Sequence, residues 1–112
     1  MIDIQVSMTE GVPTRVISSG HAIRSGSAVS APCAAVSVVL KSFGLALARN
    51  AQCRVHARAE HPGALDVAVH GCEDHQWITG VWVVTETSLR EIAAAWPDHV
   101  RLSITEEKRY GS

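Results

Sequence analysis

His21 and Cys33 are the two residues of this chain whose side chains could together break a bond. A thiolate is a nucleophile, and an imidazole twelve positions upstream can take the thiol's proton or, once protonated, hold the thiolate. The stretch between them, within "GHAIRSGSAVSAPCAA", is made mostly of small residues. At its end Ser30 has the side chain of a helix N-cap, and Pro32 suits a first turn, where its missing N–H does no harm. Cys33 then falls at the third helical position, at the positive end of the helix dipole, which favours the thiolate. The N–H groups of Cys33 and Ala34 at the same helix start could receive the oxyanion of a tetrahedral intermediate. That is a minimal kit for acyl transfer. The plainer readings stand beside it. Cysteines are commonly buried and inert, a histidine at a strand end is ordinarily a solvated polar residue, and Gly20 can serve only to supply a positive φ.

The elements that must position these groups follow from hydrophobic periodicity. Ile2, Ile4, Val6 and Met8 alternate with polar residues as in a half-buried strand, Glu10 to Pro13 reads as a turn, and Thr14 to Ser18 as a second strand. Cys33 to Arg49 is apolar nearly all round and predicts a deeply buried helix, although Gly44 costs it about 1 kcal/mol against alanine. Cys53 to Ala59 and Leu65 to Val69 alternate again around the turn "EHPGA". A second helix is expected from His75 to Trp96, ended by Pro97, then a strand over Val100 to Ile104 and a polar tail. The order is ββαββαβ. It predicts an α+β fold, a mainly antiparallel sheet with two helices on one face, in a single domain over residues 1–112.

Composition bounds the partners. With 112 residues, 10 basic and 11 acidic side chains and 46% apolar residues, the chain is globular and lacks the basic excess of a dedicated nucleic-acid binder. Three cysteines, an odd number without regular spacing, suggest no disulfide framework and so a reducing compartment. The segment "MIDIQVSMTEG" carries no secretory pattern, and the apolar run from Ala34 to Leu40 is too short to span a bilayer. A cytoplasmic location, no membrane partner and no cofactor are expected. His70, Cys72 and His75, with Cys53 and His56 nearby, fit no standard zinc spacing, so no metal is assigned. Trp77, Trp82 and Trp96 recur at helical spacing and read as core, or as the lining of a groove or contact surface.

Gly20–His21–Ala22 followed by Cys33–Ala34–Ala35–Val36–Ser37 resembles the ribosomal-processing cysteine protease family, Prp. There the histidine and cysteine stand at the same spacing, and the order of elements is similar over nearly the whole chain. The resemblance implies a homodimeric α+β cysteine endopeptidase. Its substrate would be a ribosomal protein precursor peptide: the N-terminal extension of large-subunit ribosomal protein twenty-seven, cut after an aromatic residue. It implies Cys33 as nucleophile, His21 as base, Gly20 and Ala22 as flanking motif positions, and the loop from Ile23 to Ala31 as a flap over the substrate. Small residues make such a loop flexible, and its closure would exclude water. In one respect the chain departs from the family, which has Gly-x-Asp-Ile-Val directly before the cysteine. Here Ser30 stands at the acid's position, so a cap is kept and a charge is lost. Two function classes follow: a cysteine protease, or a non-catalytic binding module, associated with a ribosomal protein or the ribosome, that keeps the fold.

Overall fold

The computed structural model describes residues 1–20, 31–61 and 64–107. Its elements are β1 (Ile2–Thr9), β2 (Val12–Ser19), α1 (Ala31–Arg49), β3 (Cys53–His61), β4 (Ala64–Cys72), α2 (His75–Ala95) and β5 (Val100–Glu107), the order and types read from periodicity. The strands form one sheet in the order β3-β4-β2-β1-β5. β1–β2, β2–β4 and β3–β4 are antiparallel, and β5 joins β1 in parallel, which makes the sheet mixed.

Local chemistry explains the first hairpin. Glu10 and Gly11 both take positive φ, at 52° and 78°. That is the two-residue turn whose twist matches the flanking strands. The alternation then sends Ile2, Ile4, Val6, Met8, Val16, Leu65, Val67, Val69 and Val100 into one buried layer. Over it lie Val36, Leu40, Phe43 and Leu47 of α1 and Ile78, Trp82, Leu89 and Ile92 of α2. With the buried Thr85 of α2, these positions recur every three or four residues and so define one face of each helix. Phe43 and Trp82 meet edge to face, with centroids 5.6 Å apart, and join the helices at the centre of the core. The opposite sheet face is polar. Arg15 bridges Asp66 and Arg101 bridges Asp3 across it.

Three expectations need correction. Helix α1 is not buried all round: Val38 and Leu45 are each 64% exposed, and Val83 and Val84 of α2 are exposed as well. The helix is apolar on two faces because it has two surfaces to serve, one against the sheet and one facing outward. The second correction is to length. The apolar run of α1 continues through Lys41 to give 19 residues, enough by length and composition alone to cross a membrane, while its Val36–Leu47 face packs on the sheet. The third concerns Cys53 and Cys72, which are joined in a disulfide with Cα atoms 3.9 Å apart. They face each other across the β3–β4 pair. Their spacing in sequence conceals this, because the hairpin register decides it, with a shift between Arg54 and Val55.

Candidate active site

Cys33 lies on the first turn of α1, the third residue of the helix. It is half-buried, stands outside the disulfide and packs against the edge of the core. The turn forms as the sequence dictates: Pro32 is buried in it, where no N–H is needed. No acidic residue lies in that turn, so the positive end of a 19-residue helix is not offset there by a carboxylate. Ala31 and Cys33 occupy positions whose amides fall outside the helix's own i−4 ladder. Ala34 is one step further into the helix.

The strand expected to deliver the histidine is well defined. β2 runs to Ser19 and ends in Gly20, whose φ of +95° belongs to glycine. A Cβ there would run into the carbonyl oxygen of Met1. The positive φ and the close approach of β1 thus both require this glycine. His21, Ala22, Ser30 and the flap positions 23–30 lie outside the described residues. Beside the end of β2, Ile17, Ser18 and Ser19 line a pocket of about 190 Å³ with Arg58, Leu65 and Asp66. Ser18 is buried in it, 2% exposed. Asp66 accepts hydrogen bonds from the Arg15 guanidinium at 3.0 and 2.6 Å. Those bonds hold its carboxyl below the usual carboxylate range, with further attraction from Arg58 and His56.

Two other groupings were conspicuous in the sequence. His70, Cys72 and His75 border a cleft of about 310 Å³ with Glu10 and Glu107. Among the described residues no three His, Cys, Asp or Glu side chains converge as metal ligands. The tryptophans divide by role. Trp82 is core, Trp96 caps the C-terminus of α2, and Trp77 lines an apolar groove of about 680 Å³ between the helices. A second stretch of groove, lined by Ala34, Val38, Val39 and Ser88, continues it toward the start of α1.

The family model for the cysteine protease Prp matches residues 1–101. The chain belongs to the Prp family. Prp proteins are cysteine proteases of ribosomal processing, and solved structures share this fold. S. aureus Prp in complex with a covalently linked product peptide is 20% identical, with a TM-score of 0.80 over 94% of this chain and 100% of the other. The same S. aureus protease with a substrate peptide gives 19% identity and a TM-score of 0.76 over 94% and 100%. SMU.848 from Streptococcus mutans is 22% identical, with a TM-score of 0.74 over 96% and 99%. No curated protein matched the sequence.

Proposed function

We propose that this Prp protein is a cysteine endopeptidase that removes the N-terminal extension of large-subunit ribosomal protein twenty-seven, with Cys33 as nucleophile and His21 as base. The observation that carries the reading is Cys33 at the third position of α1 in a chain of this family. His21 takes the thiol proton, and the Cys33 sulfur attacks the scissile carbonyl carbon. The resulting oxyanion is received at the helix start by the Cys33 amide, with Ala34 beside it. As the tetrahedral intermediate collapses, the imidazolium gives its proton to the leaving amine and a thioester remains. Water activated by His21 then attacks that thioester and restores the thiol. Gly20 and Ala22 set the exit of β2 that aims the imidazole, and residues 23–30 act as the flap, one residue shorter than expected because Ala31 already belongs to α1. The reaction needs no cofactor, metal, nucleic acid or membrane.

The outward apolar face of α1 and α2, with Val38, Leu45 and Val84 exposed, supports the homodimer. The cytoplasmic location rests on where ribosomal proteins are assembled. The single domain over residues 1–112 rests on one sheet that holds strands from both ends of the described chain.

The test is cleavage of a peptide that spans an extension ending in an aromatic residue. Cys33→Ala and Cys33→Ser are expected to abolish turnover while the melting temperature stays near that of wild type. Wild-type cleavage by purified Cys33→Ala sinks the mechanism. A second reading is favoured by Ser30, which stands where the resemblance to the family implies an acid. It is a binding module that holds the precursor peptide, or the ribosome, without cutting. Tight peptide binding with no cleavage by the wild-type chain would select it.

A further inference from the structure

The disulfide lies at a junction. Cys53 is the first residue of β3 and Cys72 the last of β4, so their bond ties the turn that leaves α1 to the turn that leads into α2. The two turns are already in contact. The Cys53 amide donates to the Asn50 carbonyl at 3.0 Å, and the Glu73 amide donates to the Gln52 carbonyl at 3.1 Å. Asp74, next in line, caps α2 by accepting from the Trp77 amide. Cys53 is buried, but Ala51, Gln52 and Glu73 around the pair are exposed, Cys72 is half-buried, and β3 is an edge strand. A small thiol can therefore approach the Cys72 sulfur from solvent without opening the core.

We propose that Cys53–Cys72 is a reversible redox staple, which when oxidised locks the base of the β3–β4 hairpin to the two helix connections and when reduced lets that end open. The oxidant is a low-molecular-weight disulfide. One cysteine thiolate attacks a sulfur of it, forming a mixed disulfide and releasing one small thiol. The thiolate of the second cysteine attacks the protein sulfur of that mixed disulfide, closing Cys53–Cys72 and releasing the second small thiol. The two protein thiols lose two protons and two electrons, and the oxidant takes up both. Reduction by a thiol runs the same steps backward. Cys33 takes no part. It lies at the other end of α1, sixteen residues before Arg49, or roughly 24 Å at 1.5 Å per residue. The staple thus acts on the fold and leaves the Cys33 thiol as it is, whatever Cys33 does.

The experiment equilibrates the full chain in mixtures of reduced and oxidised glutathione, then blocks thiols by alkylation and counts them residue by residue by mass spectrometry. Melting and backbone hydrogen exchange are followed in the same mixtures. Cys53 and Cys72 are expected to titrate together as one two-electron couple while Cys33 is alkylated throughout. The oxidised form should melt roughly 10 °C higher, since the bond closes a loop of about twenty residues. Exchange should slow at the Cys53 and Glu73 amides. The Cys53→Ser/Cys72→Ser pair should melt at the reduced value in every mixture, and Cys33→Ser should keep the full response. The proposal is overturned if Cys53 and Cys72 stay alkylated under oxidised glutathione, or if either pairs with Cys33. It is also overturned if the bond is reduced only as fast as the whole chain unfolds, which would make it a permanent cross-link.

Discussion

Ser30 stands in the proposed site where the resemblance to the family leads one to expect an acid. Serine and aspartate cap helices about equally well, so Ser30→Asp should change stability by only a few tenths of a kcal/mol. Its charge would favour an imidazolium at His21 but oppose a thiolate at Cys33. If the missing acid orients the histidine, kcat/KM on the extension peptide should rise on the order of tenfold. A fall at unchanged melting temperature would mean that the site is rebuilt around a neutral serine. Asp66 makes a different kind of prediction. Its folded-state pKa is lowered by the Arg15 hydrogen bonds. Its contribution is therefore fully present above the unfolded carboxylate value and lost as pH falls through the folded one. Because Arg15 is largely exposed, Asp66→Asn should cost only about 0–1 kcal/mol near neutrality. The difference should vanish in strong acid, as read by urea midpoints of the two proteins. At this scale the place of Cys33 at a helix start was legible, because Pro32 and the apolar run after it fix where α1 begins. The burial of Ser18 beside the end of β2 was not, since it depends on which face of β2 meets the helices.

The elements were legible wherever one period governed a stretch. Alternation marked β1 and β4, helical spacing marked α2, and a long apolar run without internal turn signals marked α1. What failed was burial of α1, because periodicity cannot tell an outward apolar face from an inward one. Two glycines test how the elements fit together. At Gly44 an added Cβ would meet Ala57 and Val67 at 3.6 Å, ordinary contact distance. Gly44→Ala should therefore add up to about 1 kcal/mol through helix propensity, read as a higher urea midpoint with an unchanged slope. Gly20→Ala should do the reverse. The positive φ and the Met1 carbonyl both oppose it, at a cost of about 1–3 kcal/mol. Cleavage should fall further than stability, because the same backbone leads directly into His21.

At the scale of the molecule, the outward helix face and the sheet order carry the remaining consequences. Val38→Asp and Val84→Asp change exposed positions, so each should alter monomer stability by no more than about 0.5 kcal/mol. In the proposed dimer they would bury charge, and light scattering should show the population move to monomer. A dimer unaffected by both would place the contact elsewhere. The parallel β1–β5 pairing lay beyond sequence reasoning, because nothing local to either strand specifies a partner so far away. Ile2 pairs with Val100, and Asp3 bridges Arg101 across 98 positions. That pairing makes completion of the sheet wait for the synthesis of β5. β1 and β2 can close their hairpin early, yet one edge of β1 keeps its backbone groups open until β5 has left the ribosome. During translation the nascent chain therefore presents an incomplete sheet with a strand's worth of pairing sites exposed until β5 emerges to cover them.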